Sequence, residues 1–522
     1  MGDTNSIFKK WVPKKVILPI LVLSLLPHIM LLSVFSLNST FTASFLDIET
    51  DDVQFLFSLA YATVVCGLFL NGRLFQFFNI RSFVLTMTIL NVVILALMAS
   101  TKNFYLILIL RFIQGPLILF EGCILLPVII SLVKSNHARI MAFSFLYGWM
   151  LTGDKFTTSL MKFAIDNYSY QMLYYGIIGF HILSLFIYAL IFSHGRLFPK
   201  RPLYQLNLLG VLLMMACLIS GAYGLIYGKK LYWFESNQIV LAFIICLFSA
   251  SLFLWRERYA KRPIFHFEIF KSKRVLTGII LFFFFYLVRS SLGNIYQVMR
   301  QVWNWPWEYV LKIQYYNVLG SFIGVFSAYF LMKYKVKFQY IFCLGFSILA
   351  ASMYLFVELF YPDTRTTLVG VALLIEGVGQ GLLFCPLVFF MLGSVHPSIS
   401  SSVSQGGTAI RFWTNTIGFS IMQNSVLYLT TKHQFLMTRN LDLSNTVFQK
   451  EWNNLYGKFE TSHLHNDAIS LSVGALKTRL YNQALLVSNI EIFWSLFLLA
   501  FSLALIILIF SLIKDKIKII IQ

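Results

Sequence analysis

The chain has 522 residues, of which 58% are hydrophobic and only 12% are charged, and its mean hydropathy is +0.76. A soluble chain would carry roughly twice that share of charged residues. The composition therefore excludes an ordinary soluble protein and predicts many membrane spans. A net charge of +20 suggests nucleic-acid binding in a soluble chain. Here the basic residues fall in alternate loops, so we expect the lipid bilayer as the partner and no nucleic acid.

In chain order, apolar windows of about 20 residues predict fourteen transmembrane helices. The first window is too long for a signal-peptide core and has no small-residue cleavage site after it, so we expect it to remain as a span. The windows cover roughly residues 15–38, 53–75, 82–101, 104–132, 139–162, 170–193, 205–227, 237–255, 275–298, 309–332, 338–360, 367–394, 403–429 and 485–513.

The distribution of charge predicts the orientation of the spans. Basic residues concentrate in the predicted inner segments, whereas the first outer loop, LDIETDD (46–52), carries only acidic charges. Cytoplasmic loops are enriched in Lys and Arg, so both termini are expected in the cytoplasm. One long polar segment, 430–484, is expected outside the membrane, and it is too short to form a separate catalytic domain. The inner basic residues include Lys9, Arg73, Arg139, Arg196, Arg256 and Lys333.

Two short stretches of the chain echo one another. FIQGPLILF (112–120) in the fourth span and GVGQGLLF (377–384) in the twelfth both place Gln-Gly before apolar residues. Internal duplication with a site near the membrane midplane is typical of transporters. We therefore predict a six-helix bundle over residues 1–200, two linker helices over 201–260, and a second six-helix bundle over 261–522 that includes the outer segment.

Four motifs in order resemble the fourteen-span drug:proton antiporter family (EmrB/QacA-like) of the major facilitator superfamily. RFIQG (111–115) is similar to that family's fourth-span motif. KRPIFHFEIFKSKRVLTG (261–278) is similar to its loop before the ninth span. RFWTNTIGFSI (411–421) resembles its thirteenth span, and NQALLVSNIEIF (482–493) resembles the start of its last span. Together the four motifs extend over both halves of the chain.

The resemblance implies an all-α fold of two six-helix bundles with two inserted helices. It also implies export of amphipathic small molecules by alternating access, driven by the proton-motive force without a cofactor. The implied location is the bacterial inner membrane, with a periplasmic adaptor protein and an outer-membrane channel as further partners. The chain departs from the family pattern at Gln76 and Asn79, where an Asp and a Gly are usual. It also has TGDKFTTSLMKF (152–163) in place of the fifth-span antiporter motif.

Asp154 and Lys155 are adjacent charged residues inside the predicted fifth span. A charge at the centre of a bilayer costs about 2.5–3.5 kcal/mol on insertion scales, so such residues are usually paired or functional. Counting helical rise along the fourth and fifth spans places Asp154 and Arg111 at similar depths, and we expect them to lie close together. They then form either a static ion pair between helices or part of a proton-coupling site in a central cavity.

Further buried charges supply more candidates for proton coupling. Glu121, on the inner half of the fourth span, is either a second proton site or a hydrogen-bonding group of an inner gate. Arg289 and Glu376 form the corresponding pair in the second half. His28 and His181 are either proton relays or, more commonly for histidines in helices, satisfied core residues.

Other residues are expected to serve gating or packing. Gln114 and Gly115 belong to RFIQG, Arg81 belongs to the loop after the second span, and Arg411 occupies the place of an Arg in the family's thirteenth span. The six cysteines show no C-x-x-C pattern, and no metal-ligand spacing is present, so neither a disulfide nor a metal site is predicted.

Two alternative functions remain open at the level of sequence. The many buried Arg and Lys residues fit an organic-anion uptake or exchange carrier. The acidic first outer loop is compatible with a membrane-embedded glycosyltransferase, although about ten residues are too few to build a donor site. No P-loop is present, so ATP is not expected to drive the protein directly, and the leading prediction is a secondary carrier rather than an enzyme.

Overall fold

The architecture comes from a computed structural model that describes most of the chain. Lys261 and Arg262 of the 261–278 motif lie outside the described residues. So do Arg201, where the predicted linker begins, the start of the seventh window at 205, and the ends of the first and twelfth windows at 38 and 394. The description covers all residues except 1–6, 36–38, 134–136, 197–198, 201, 204–206, 261–262, 394, 397–398, 440, 443, 463 and 522.

Eighteen α-helices are present in the described part of the chain. The first nine are α1 (Lys14–Leu23), α2 (Leu25–Ser33), α3 (Ser39–Leu46), α4 (Thr50–Phe77), α5 (Ile80–Ser100), α6 (Phe104–Leu132), α7 (Ala138–Asn167), α8 (Gln171–Ile191) and α9 (Leu208–Tyr227). The others are α10 (Asn237–Tyr259), α11 (Lys273–Ser290), α12 (Leu292–Gln301), α13 (Trp307–Lys333), α14 (Phe338–Leu359), α15 (Thr366–Leu392), α16 (Ser400–Thr438), α17 (Thr446–Glu460) and α18 (His465–Ile521).

Twelve helical segments among these residues are long and apolar enough to cross a membrane. The α1–α2 and α11–α12 pairs each count as one such segment. The predicted fifth and thirteenth spans correspond to α7 and α16, which have 30 and 39 residues. Neither helix contains an 18-residue stretch as apolar and as poor in charge as those of the twelve segments. Both helices are rich in polar residues. The all-helical fold class is confirmed, whereas the count of fourteen spans is not.

The predicted first and ninth spans are each interrupted by a serine. Ser24 separates α1 from α2, and its hydroxyl donates to the Ile20 carbonyl oxygen at 2.8 Å. Ser291 separates α11 from α12, and its hydroxyl donates to the Val288 carbonyl oxygen at 2.7 Å. A hydroxyl that bonds back to the preceding turn competes with the regular ladder and bends a helix. The interruptions therefore occur in the first span of each proposed half, after the 10 residues of α1 and the 18 residues of α11.

Two helix pairs approach unusually closely because glycines face them. A Cβ atom at Gly115 on α6 would overlap Thr63 and the backbone of Ala60 on α4. A Cβ atom at Gly381 on α15 would likewise overlap the Ser321 carbonyl oxygen on α13. The Gln-Gly echo in the sequence thus corresponds to two equivalent close contacts, α4 with α6 and α13 with α15.

Helices from opposite ends of the chain meet along two lines. α7 packs against α13 and α15, and α4 packs against α16. The inserted helices α9 and α10 pack on each other, and α9 also contacts α4 and α16. This arrangement leaves a space between the N-terminal and C-terminal helices.

The polar 430–484 segment is largely helical. α16 continues to Thr438, α17 forms a separate helix, and α18 begins at His465 and runs without interruption into the last predicted span. Asn445 caps α17 by accepting from the backbone N–H of Val447 at 3.0 Å. An ion pair between Arg479 and Glu451 ties α17 to α18.

Candidate functional site

A cavity of about 740 Å³ lies between the N-terminal and C-terminal helices. Side chains from α2, α4, α6, α7, α11, α12, α15, α16 and α18 form its wall. Most of the wall is apolar or aromatic, with a few charged groups, which is the usual make-up of a small-molecule site. The aromatic and charged wall residues are Phe57, Tyr61, Asp154, Lys155, Lys229, Tyr286, Arg289, Tyr296, Arg300, Phe384, Phe419 and Tyr481.

The cavity opens at the end of the molecule that carries the acidic 46–52 loop. Thr50 and Gln54, at the start of α4, and Lys229, in the loop after α9, line this end. At its other end the cavity is closed by contacts between α7 and α15. The rings of Tyr147 and Phe384 meet there with centroids 4.6 Å apart.

The adjacent charges of the fifth predicted span pair with each other. Lys155 Nζ lies 3.0 Å from Asp154 Oδ2 and donates to the Leu151 carbonyl oxygen at 3.2 Å. Lys155 is 1% exposed, whereas Asp154 is 18% exposed and faces the cavity. One turn further along α7, the Thr158 hydroxyl donates to the backbone carbonyl oxygen of Asp154 at 2.9 Å.

Charges from the second half act on the same lysine. Lys155 lies within electrostatic reach of Arg289 on α11 and Glu376 on α15. Glu376 is fully buried and accepts a hydrogen bond from Gln380 Nε2 at 2.9 Å on Oε1, while its Oε2 has no hydrogen-bond partner among the described residues. The structure thus brings together Asp154, Lys155, Arg289 and Glu376 at the boundary between the two sets of helices.

Arg111 does not join this cluster. It donates instead to the carbonyl oxygens of Leu31 and Leu32, each at 3.2 Å, and to Gln114 Oε1 at 2.7 Å. The last carbonyls of a helix lack partners within it, and α2 ends at Ser33, so the guanidinium satisfies them. The expected Arg111–Asp154 pair is not formed, because each of the two charges has a nearer partner.

Glu121 lies in a second buried cluster, inside the N-terminal helices. Its Oε1 accepts from Thr88 Oγ1 at 2.6 Å, and its Oε2 accepts from Asn91 Nδ2 at 2.7 Å. His28 Nδ1 lies 3.5 Å from Oε1, and His181 Nε2 lies 3.9 Å from Oε2. Sequence reasoning treated these three ionisable residues separately, because each lies in a different span and no spacing along the chain links them.

The remaining candidates lie in packing positions. Arg411 is almost fully buried, donates to Thr408 Oγ1 at 2.6 Å, and lies over the rings of Tyr147 and Phe384. Arg81 Nη1 lies 3.1 Å from His194 Nε2 at the end of the molecule opposite the cavity opening.

The profile of the Major Facilitator Superfamily matches residues 17–421. The chain belongs to this superfamily and is an integral membrane transporter, not an enzyme. The glycosyltransferase alternative is therefore wrong.

Similar proteins that are named as multidrug export or resistance proteins agree with the resemblance to the EmrB/QacA-like family. Identity with the Multidrug export protein EmrB of Escherichia coli (strain K12) is 22% over 273 residues, and this match covers 51% of each chain. The chain thus matches about half the length of this relative. Identity is also 22% with the Probable multidrug resistance protein EmrY of Escherichia coli (strain K12), over 78% of this chain and 79% of that one. Multidrug resistance protein 3 of Bacillus subtilis (strain 168) matches at 22% over 69% of each chain.

Solved structures share the fold. The proton:xylose symporter XylE aligns with a TM-score of 0.52 at 13% identity, over 80% of this chain and 91% of that one. The nucleoside transporter NupG aligns with a TM-score of 0.51 at 12% identity, over 89% of this chain and 100% of that one. Such low identities establish the architecture and nothing about the substrate.

Proposed function

We propose that this chain exports amphipathic small molecules from the cytoplasm in exchange for protons, by alternating access across a bacterial inner membrane. The names of its relatives support export of drugs, and the largely apolar cavity with its few charged groups, between two sets of helices, fits an amphipathic ligand. These relatives do not favour the organic-anion carrier.

The observation that carries the proposal is the charge cluster at the cavity. Glu376 has one oxygen bonded by Gln380 and one without a partner among the described groups, and the cations of Lys155 and Arg289 lie near it. A carboxylate so placed can hold a proton, or release it and be balanced by these cations. Because Lys155 also pairs with Asp154, the lysine can shift between two carboxylates on opposite halves as the halves move.

The membrane potential supplies the driving force in this proposal. It contributes about 2.3 kcal/mol per elementary charge per 100 mV, so release of a proton from Glu376 to the cytoplasm favours a cycle that exports the substrate. The interruptions at Ser24 and Ser291 lie in the corresponding spans of the two halves, where transporters commonly form their central sites.

The proposal also includes an orientation in the membrane and two partner proteins. The acidic 46–52 loop and the basic opposite loops support cytoplasmic termini, and the cavity then opens toward the periplasm. We include a periplasmic adaptor and an outer-membrane channel as the partners that the resemblance implies, with α17 and the start of α18 as the segment nearest to them.

Proton movement in everted membrane vesicles tests the proposal. A pH-sensitive dye reports proton release while a panel of lipophilic cations and organic anions is added to vesicles containing the wild type, Glu376→Gln or Asp154→Asn. We expect substrate-triggered proton movement in the wild type and its loss in both variants. Glu235→Gln is the matched control, because this carboxylate lies in an exposed loop, and it should retain activity.

Two results would count against the proposal. If Glu376→Gln and Asp154→Asn moved protons as the wild type does, the cluster would be structural rather than coupling. If no compound on the panel moved protons through the wild type, proton-coupled export of amphipathic molecules would be abandoned. Activity limited to the organic anions would restore the anion carrier.

A further inference from the structure

We propose that His28, Glu121 and His181 form a binding site for one divalent transition-metal ion of the zinc type, inside the N-terminal helices. One ligand atom from each of the three residues lies within 4.8 Å of the other two, and all three side chains are buried. This inference is independent of the proposed function, because it concerns binding of an ion to the protein at rest.

The three donor groups are typical of a zinc site. Two imidazole nitrogens and one carboxylate form a ligand set that zinc uses in sites that keep one position open. Imidazole also suits other divalent ions of the first transition series, whereas Mg²⁺ and Ca²⁺ prefer oxygen ligands. The two histidines therefore select the class of ion.

The distances between the histidine nitrogens and the Glu121 oxygens are compatible with a bound ion. Charge-assisted N–H···O hydrogen bonds are about 2.7–2.9 Å long, yet His28 Nδ1 and His181 Nε2 lie 3.5 Å and 3.9 Å from the Glu121 oxygens. These separations are longer than such hydrogen bonds and lie near the outer limit of an ion pair. A tetrahedral ion with bonds near 2.05 Å holds its ligand atoms about 3.4 Å apart, and the three ligand atoms lie within 4.8 Å of one another, so a contraction of the cluster would seat the ion.

The outer ring nitrogen of each histidine, which faces away from Glu121, lies close to a hydrogen-bonding group. His181 Nδ1 lies 3.0 Å from the Ile177 carbonyl oxygen, which only accepts, so this nitrogen carries a proton. A histidine with this tautomer would present the lone pair of Nε2 to Glu121 and to a bound ion. His28 Nε2 lies 3.1 Å from the Tyr188 hydroxyl. Metal-binding histidines characteristically bond through their other ring nitrogen in this way.

The inner ring nitrogen of each histidine is the one that faces Glu121. His28 Nδ1 and His181 Nε2 are buried and have no hydrogen-bond partner among the described groups. In the tautomers with protons on the outer nitrogens, the inner nitrogens would face the carboxylate with lone pairs, and a cation between them would remove the repulsion. Glu121 is itself held by Thr88 and Asn91, and ligating carboxylates are generally fixed by such hydrogen bonds.

The ion also has a route to the site. His28 lines the central cavity, which opens at one end of the molecule. Once bound, the ion would link α2, α6 and α8, which carry its three ligands. Because an ion that binds the folded state stabilises it, the N-terminal helices should resist unfolding better when it is present.

Titration of the purified full chain tests the site. The protein is prepared in detergent without a polyhistidine tag, stripped with a chelator, and titrated with Zn²⁺ by calorimetry; Co²⁺ absorption bands report the ligand geometry. We expect one ion per chain, and a higher Tm with Zn²⁺. Glu121→Gln, which keeps the shape of the side chain, should weaken binding by at least about a hundredfold, more than the loss of an outer hydrogen bond causes.

A second variant guards against misfolding. Tyr188→Phe removes the outer partner of His28 and leaves all three ligands in place, so it should weaken binding about 10–100-fold. His433→Gln is the matched control, because His433 Nε2 pairs with Glu491 at 2.9 Å, away from the site. Cys217→Ser controls for the facing thiols of Cys217 and Cys246, whose Sγ atoms are 3.8 Å apart. Both controls should bind as the wild type does.

The overturning results are specific. If the wild type bound no more Zn²⁺ than Glu121→Gln, or if Tyr188→Phe and Glu121→Gln both bound as tightly as the wild type, the cluster would not be a metal site. It would then be a polar core, or a place where protons alone bind.

Discussion

At the scale of single residues, Arg111 and Arg289 have different surroundings. Arg111 is fully buried, satisfies the end of α2 and lies over the Phe35 ring. Arg289 is only partly buried, lines the cavity and acts on Lys155. Depth along a helix, which is all that the sequence offers, does not distinguish them, because depth says nothing about which way a side chain turns.

Replacing Arg111 should therefore affect stability first. Arg111→Gln removes charge-assisted hydrogen bonds to two backbone carbonyls, and bonds of this kind contribute about 1.5–3 kcal/mol each. We expect the free energy of unfolding, measured in detergent micelles with increasing SDS, to fall by at least about 2 kcal/mol. Arg289→Gln should stay within about 1 kcal/mol of the wild type while losing proton-coupled transport. A stable but inactive Arg111→Gln variant would instead place Arg111 in the transport machinery.

At the scale of helices, the glycine contacts explain the internal echo of the sequence. Gly115 and Gly381 each follow a glutamine that bonds a charged residue of its own helix, Arg111 in α6 and Glu376 in α15. Small residues let membrane helices approach closely. The repeated Gln-Gly therefore marks the same kind of close helix packing in both halves. The glutamine bonds a positive charge in α6 and a negative charge in α15.

A single methyl group should separate α4 from α6. In Gly115→Ala the new Cβ meets backbone on α4, which cannot rotate away, and we expect a loss of about 1–3 kcal/mol in the free energy of unfolding. Gly72→Ala is the control within α4, because no heavy atom lies within 4 Å of its added Cβ. It should be neutral or slightly stabilising. Equal stability of the two variants would show that α4 and α6 are less tightly packed.

The sequence predicts the helices much better than it predicts the clusters. Apolar windows and the Gln-Gly echo depend on neighbours along the chain, and they predict the fold class and two related halves. The meeting of Lys155 with Glu376, and of Glu121 with two histidines, depends on how distant spans rotate against one another. Polar residues of α7 and α16, several of which face the cavity, lower the apolarity of two windows that the sequence predicts as spans.

At the scale of the whole molecule, closure at one end rests on contacts between α7 and α15. Phe143 packs on Phe389 with ring centroids 5.5 Å apart. Beside it, Ser144 Oγ lies 3.7 Å from Cys385 Sγ. Alternating access requires these two helices to separate at this end when the cavity opens to the other side.

A disulfide at this point should stop transport reversibly. In Ser144→Cys the new thiol would lie beside native Cys385, close enough to oxidise with small adjustments. We expect oxidation to abolish substrate-driven proton movement in vesicles and a reductant to restore it. The same variant combined with Cys385→Ala should be unaffected by oxidation. Undiminished transport by the cross-linked chain would mean that α7 and α15 stay together throughout the cycle.

The 57-residue helix α18 has a mechanical consequence. At 1.5 Å per residue it is a rod about 85 Å long, with its first turns tied to α17 by the Arg479–Glu451 pair and its later turns packed on α14 and α16. A helix without an interruption moves as one body, so a tilt of its apolar part would displace its first turns by a proportionally larger distance. The pair formed by α17 and the start of α18 should therefore move with the C-terminal helices.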